Sequence, residues 1–351
     1  MDSSCNPVKT ALASFGMSGL VFHGPLLHTN QCFELSKVLE RTKNESAKKY
    51  PYTEIVRNFD ELCNDDSIEL IIVNTPDHTH YDLCKKAIEY NKHVVVEKPF
   101  TQKYSEAIEL IELAEKKNLL LSVFQNRRWD GDFLTVKKVI SEKLLGRLVS
   151  YEAHFDRYRN FIQPDTWKEN AHTGTGTLFN LGSHLIDQVL VLFGKPDAVT
   201  ADIRALRSQS SIDDTFELWL HYPHVRVSLA ASYLVREPGP RYALHGTEGS
   251  FLKWGIDPQE EALKKDAAPG SKGWGEEPES EFGLLHTTLN GKDIKERIAT
   301  IPGDYPAFYA NIYRAIRHGE KLAVEPVEAA MVIKIIEAAF LSQNEKRRVE
   351  I

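Results

Sequence analysis

The chain has 351 residues, 42% of them hydrophobic and 26% charged, enough for two domains of ordinary size with a core each. Its net charge of -7, from 43 basic and 50 acidic side chains, lacks the basic footprint of a nucleic-acid-binding protein. No window has the unbroken apolar length of a membrane span and the start, Met1 to Lys9, is polar, so a cytoplasmic protein with neither nucleic acid nor membrane as partner is expected.

From Val8 to Phe124, short β-rich runs alternate with helical patterns. The runs are Val8 to Phe15, Phe33 to Leu39, Leu70 to Asn74, His93 to Glu97 and Leu119 to Phe124. Helical patterns cover Gly19 to Leu27, Phe59 to Leu62, His80 to Tyr90 and Ser105 to Lys117. This rhythm predicts a Rossmann-like, doubly wound parallel sheet over residues 1–124. After Arg147 strand-like runs follow one another: Leu148 to Asp156, Ala198 to Leu206, Thr215 to Tyr222, Val225 to Val235, Arg241 to His245 and Ser250 to Lys253. They predict an α+β domain over 125–351 with a mostly antiparallel open sheet, giving an α/β protein overall. Helical patterns at Leu178 to Phe193, Tyr305 to His318 and Val327 to Ser342 complete it. Residues Asp257 to Gly283, rich in Glu, Lys, Pro and Gly, read as a solvated excursion, with a lid or subunit contact as the alternative. Cys5, Cys32, Cys63 and Cys84 include no Cys-x-x-Cys pair and read as reduced thiols, with no metal site expected.

Two loops in the first half carry nucleotide chemistry. Ser14-Phe15-Gly16-Met17-Ser18-Gly19 sits where a G-x-G-x-x-G turn lets the backbone approach a pyrophosphate, with Ser14 replacing the first glycine. At the end of the second strand, Glu40 suits the ribose hydroxyls of NAD and Arg41 the 2'-phosphate of NADP, so either cofactor stays open. The third and fourth strands deliver Asn74-Thr75-Pro76, His78 and His80, then Glu97-Lys98-Pro99, to the carboxyl edge of the sheet, where ligands of such folds bind. His78 and His80 lack the second ligand set that a metal site needs.

Together with Asn180-Leu181-Gly182-Ser183-His184 and Asp187, these motifs resemble the Gfo/Idh/MocA family of NAD(P)-dependent oxidoreductases over nearly the whole chain. Asn126-Arg127-Arg128-Trp129-Asp130, Arg157-Tyr158-Arg159 and Gly239 to Gly246 are similar to the branch that acts with NADP on scyllo-inositol. The resemblance implies that Lys98 orients the reacting hydroxyl and the nicotinamide, that His184 exchanges the hydroxyl proton, and that the open sheet forms a homodimer or higher oligomer. Where the family carries an aspartate four residues before the histidine, this chain has Asn180, which bonds a hydroxyl without adding charge.

The residue types fit that chemistry. An imidazole exchanges protons near neutrality, and a lysine supplies positive charge where alkoxide character develops. Asp187, three residues after His184, shares its helical face and can bind a hydroxyl or tune the histidine. Arg128 is a candidate for the nicotinamide side of the pocket or for an ion pair. Trp129, Tyr158, Trp167 and Tyr242 are candidate walls for a sugar or cyclitol ring, with His154, His172 and Arg241 as lesser candidates. A dehydrogenase of a cyclic polyol or sugar is expected. The alternatives are a cofactor-binding sensor without turnover and a reductase of a non-carbohydrate ketone or imine.

Overall fold

The computed structural model describes residues 5–164, 166, 169–171 and 174–351. Six strands, β1 (Val8–Leu12), β2 (Phe33–Leu39), β3 (Glu54–Val56), β4 (Leu70–Val73), β5 (His93–Val96) and β6 (Leu121–Val123), form one sheet in the order β3-β2-β1-β4-β5-β6. Every pairing in it is parallel. Parallel strands covered on both faces read as unbroken apolar runs, and all four residues of β4 are buried. In β5 only His93 keeps partial exposure; Val94, Val95 and Val96 are fully buried, each worth about 1.5–3 kcal/mol of burial. Strand order reverses between β1 and β4, and the open ends there form the crevice in which such sheets take ligands.

The second sheet has nine strands: β7 (Leu148–His154), β8 (Ala198–Arg204), β9 (Thr215–His221), β10 (Arg226–Ser232), β11 (Tyr242–Gly246), β12 (Gly249–Lys253), β13 (Gly283–Leu289), β14 (Lys292–Ile298) and β15 (Val349–Glu350). They run in the order β14-β13-β12-β11-β7-β10-β9-β8-β15, all antiparallel except β7 with β10. Alternation sets the buried face. Phe216, Leu218 and Leu220 of β9 point inward opposite Ala231, Leu229 and Val227 of β10, whereas Trp219 is 40% exposed on the other side. Leu185, Ile186 and Val189 of the helix Ser183–Phe193 belong to the core that covers the inward face.

The chain does not divide into compact units at a single point. One unit comprises 1–126, 259–274 and 304–330; the other comprises 127–258, 275–303 and 331–351. The stretch read as a solvated excursion is thus partly structural. Its helix Gln259–Lys264 buries Gln259 and Leu263, and the Gln259 side-chain oxygen accepts from the Trp274 indole at 2.8 Å and the Tyr305 N-H at 2.7 Å. Cys63 and Cys84 are buried, and Cys5 and Cys32 are partly exposed. No helix among the described residues is long and apolar enough to cross a membrane.

Candidate active site

At the reversal of strand order, Ser14 and Asn74 clip the ends of β1 and β4 together. The Ser14 N-H donates to Asn74 Oδ1 at 2.9 Å, and Asn74 Nδ2 donates to the Ser14 carbonyl at the same distance. The Ser14 hydroxyl adds a bond to the Asn74 carbonyl at 3.0 Å, so the residue that replaces the first glycine contributes to the loop. Asn74 therefore shapes the turn with its amide. A Cβ on Gly19 would lie 2.5 Å from the Ser14 carbonyl, which explains the glycine, whereas one on Gly16 would meet only Ser14 Oγ at 3.7 Å. No protein packing demands the bareness of Gly16. It leaves an open backbone cradle that suits a pyrophosphate, and the loop fits a dinucleotide.

A cavity of about 460 Å³ joins this loop to the segment after β2, with Phe15, Gly16, Met17, Lys43, Lys48 and Lys49 among its walls. Glu40 does not face it. Its carboxylate accepts from the Ser46 hydroxyl at 2.5 Å and from the N-H groups of Ser46 and Glu45 at 2.7 and 3.0 Å, capping the helix Glu45–Lys49. Burial alone would raise the Glu40 carboxyl, but these donors outweigh it and hold Glu40 below its ordinary range. Arg41 is exposed at the same turn. Arg57, which no motif marks, braces the loop by donating to the carbonyls of Glu40 and Lys43 and to the Asn44 side chain.

Beyond β5, Lys98 is half-buried and the Lys98–Pro99 peptide is cis. Glu97 Oε2 accepts the Lys98 N-H at 3.0 Å, and Glu97 Oε1 lies 3.1 Å from His23 Nε2. His80 is buried, its ring nitrogens 2.9 Å from the Pro99 carbonyl and 3.0 Å from the Thr75 carbonyl. It ties the Thr75 and Lys98 turns together rather than offering its ring to a ligand. Thr75 and Thr79 share a 2.6 Å hydroxyl contact, Thr79 caps back to the Pro76 carbonyl, and His78 is exposed.

In the other unit, a π-helical turn, Leu178–Gly182, runs into the helix Ser183–Phe193 and carries Asn180, His184 and Asp187 in succession. Asp213 holds its start: Oδ2 accepts the Leu178 N-H at 2.8 Å and its carbonyl accepts the Thr177 N-H at 2.9 Å. A side chain at Gly176, whose φ is +97°, would collide with that carboxylate, so the cap requires glycine. Burial raises the Asp213 carboxyl more than its donors lower it. Arg128 engages Asp187 through both ends of its fork, Nε to Oδ2 at 2.8 Å and Nη2 to Oδ1 at 2.7 Å. His184 is 5% exposed. Gln188 donates to the Arg127 carbonyl at 2.9 Å and accepts from the Tyr242 hydroxyl at 2.8 Å.

The candidate walls separate. Tyr242 has no exposed surface and engages its hydroxyl on Gln188, so it braces the helix instead of meeting a substrate. Tyr158 is exposed under the Arg236 guanidinium, 4.2 Å from its ring centre, and Trp129 is partly buried. Arg241 is buried, stacked 4.1 Å from the Phe155 ring centre, and His154 lies 3.3 Å from Asp156. Trp167 and His172 lie outside the described residues. Among the described residues no group of three or more His, Cys, Asp or Glu is placed to hold a metal.

A parallel 3-2-1-4-5-6 sheet with a bare glycine cradle at its switch point is the architecture of a dinucleotide-binding protein. Residues 8–125 match the oxidoreductase-family NAD-binding Rossmann fold, GFO_IDH_MocA, and residues 137–351 match the C-terminal alpha/beta domain of the same family. The chain is 43% identical over 343 residues to scyllo-inositol 2-dehydrogenase (NADP(+)) IolW of Bacillus subtilis, covering 97% of this chain and 95% of that one. Among solved structures, one from Bacteroides fragilis NCTC 9343, assigned as an oxidoreductase, shares 50% identity at a TM-score of 0.91, covering 98% of this chain and 100% of that one. YvaA of Bacillus subtilis, assigned likewise, shares 40% at a TM-score of 0.95, covering 99% of each. The chain belongs to the Gfo/Idh/MocA oxidoreductase family. It is an NAD(P)-dependent dehydrogenase of a small-molecule substrate, with NAD or NADP as cofactor.

Proposed function

We propose that the protein is an NADP-dependent dehydrogenase of cyclic polyols, with scyllo-inositol as substrate, that oxidises one secondary hydroxyl to a ketone and reduces the ketone in reverse. The observation that carries this is the end of β5. There a fully buried valine run delivers Lys98, its main chain held by Glu97, to the ligand edge of a dinucleotide-binding sheet. Lys98 orients the reacting oxygen and stabilises its negative charge as the proton leaves. His184 takes that proton, and Asn180 offers its amide to a neighbouring hydroxyl. Arg128 and Asp187, each neutralising the other, hold the His184 helix against the turn Asn126–Trp129. The dinucleotide, when bound, supplies the hydride acceptor; Gly16, Met17, Ser18 and Gly19 form its phosphate cradle, with Thr75, Pro76 and His78 beside it.

NADP is preferred over NAD in this reading because Glu40 is turned into a helix cap, leaving Arg41 and Lys43 at the adjoining cavity for a 2'-phosphate. The substrate reading is supported by the scyllo-inositol dehydrogenase relative. The protein acts in the cytoplasm as a homodimer or higher homo-oligomer, for which the outward face around Trp219 is available.

The test is absorbance of the reduced nicotinamide with NADP or NAD and a panel of inositols and hexoses. Turnover of scyllo-inositol with NADP is expected. Cofactor binding with no turnover of any polyol or hexose would overturn the reading, in favour of a sensor or a reductase of a non-carbohydrate ketone or imine.

A further inference from the structure

Beneath Lys98 lies a buried polar chain drawn from three elements of the nucleotide unit. The Tyr309 hydroxyl, on the helix Pro306–His318, is 2.7 Å from His23 Nδ1. His23 Nε2 is 3.1 Å from Glu97 Oε1, and Glu97 Oε2 accepts the Lys98 N-H. His23 and Tyr309 are without exposed surface, and the Phe124 ring packs against the imidazole with 4.4 Å between ring centres. The roles of the atoms follow. An ionised carboxylate only accepts, so Nε2 carries the proton; in the neutral ring Nδ1 is then the acceptor, and the Tyr309 hydroxyl donates to it. Burial, with the Glu97 charge nearby, holds the Tyr309 phenol well above its ordinary value and so keeps it a neutral donor.

We infer that Tyr309, His23 and Glu97 form a positioning relay for Lys98: Tyr309 fixes the tautomer of His23, His23 holds Glu97 as a carboxylate, and Glu97 fixes the main chain and charge of Lys98. The inference rests on the reading that Lys98 serves the reacting oxygen. Burial opposes the charge on Glu97, but the hydrogen bond from His23 and the nearby positive charge of Lys98 outweigh it and hold the carboxyl below its ordinary range. The groups facing Glu97 are thus His23 from the helical turn Gly19–His23, His80 from the turn after β4, and Lys98 itself. His23 is faced by Tyr309, Glu97 and Phe124. Glu97 is accordingly a positioning residue rather than a cofactor ligand. His23 lies 74 residues from Glu97 and 286 from Tyr309 in sequence.

The test reads Lys98 without any substrate. Wild type, Glu97→Gln and Tyr309→Phe are labelled with trace acetic anhydride from neutrality to about pH 11, across the ordinary lysine range. Lys98 is quantified by peptide mass spectrometry with the exposed Lys116 and Lys143 as internal references, and circular dichroism reports the fold. Glu97→Gln keeps an acceptor for the Lys98 N-H but removes the opposing charge, so the Lys98 profile is expected to move down by about one pH unit. Tyr309→Phe is expected to move it the same way by less, while the reference lysines stay. A Lys98 profile that coincides with wild type in folded Glu97→Gln protein overturns the inference, whether or not Tyr309→Phe folds. If Lys98 shifts and no polyol is oxidised, the relay stands and the substrate reading falls.

Discussion

The Arg128 guanidinium and the Asp187 carboxylate meet through two bonds of 2.7 and 2.8 Å, both side chains nearly excluded from solvent and 59 residues apart in sequence. Such a pair is costly to split, because the surviving charge stays buried. Arg128→Ala is expected to destabilise the protein by about 3–5 kcal/mol, and Arg128→Ala with Asp187→Ala by less than the two single changes combined. Chemical denaturation of all four forms measures this coupling. Additive losses would mean that the pair is not the unit holding the His184 helix.

Cofactor choice separates two residues that the sequence left in competition. Glu40→Gln weakens the cap of the helix Glu45–Lys49 and is expected to cost about 1 kcal/mol of stability, with NADP affinity within a few-fold of wild type. Lys43→Ala is expected to weaken NADP binding about tenfold and to leave NAD binding unchanged. Titration calorimetry with both dinucleotides decides; equal losses for NAD and NADP in Lys43→Ala would remove this lysine from the phosphate site.

Turnover tests the assigned chemistry. Lys98→Ala is expected to lower kcat by about 100- to 1,000-fold with dinucleotide affinity retained. Steady-state rates within a few-fold of wild type would refute the role.

Asn180→Asp places a carboxylate four residues before His184. An opposite charge favours the protonated imidazole, so the acidic limb of the kcat/KM profile for polyol oxidation is expected to move up by about one pH unit. An unmoved limb would show that position 180 does not act on the base.

Acid stability has a separate origin at the edge of the first sheet. Hydrogen bonds from Lys37 and Ser67 outweigh partial burial and lower the Asp65 carboxyl to about 2. A carboxyl lowered in the folded state contributes stability above its unfolded pKa of about 3.9, and that contribution fades as pH falls toward the folded value. The melting temperature of Asp65→Asn should therefore lie below wild type at pH 7 and converge on it near pH 2. A gap that is constant with pH would assign the effect to packing.

The strand that leads into Lys98 was legible because three buried β-branched residues in a row have little other use, and the turn at Gly16 and Gly19 because it directly follows a strand and opens a helix. The hairpin of β13 and β14 was not, since Lys292–Ile298 is polar and largely exposed and takes its conformation from its partner strand. The helix Gly131–Ser141 was also missed, and its first N-H is capped by Asp257, 126 residues away. Glu40 reads as a ribose ligand and Tyr242 as a wall for a substrate ring, but whether such a group meets a ligand or the protein depends on tertiary partners. For Glu40 that partner is Ser46, and for Tyr242 it is Gln188.

The return of residues 304–330 to the first unit has a consequence for synthesis on the ribosome. Ser122 on β6 donates to the Val324 carbonyl, Phe33 packs edge-on against Tyr309, and Glu69 receives both nitrogens of the Arg317 fork. The nascent nucleotide-binding half thus waits, with β2, β6 and Glu69 ahead of β4 short of their final neighbours, until almost the whole polypeptide has emerged. A fragment truncated near residue 125 should need chaperone protection that the full-length chain outgrows.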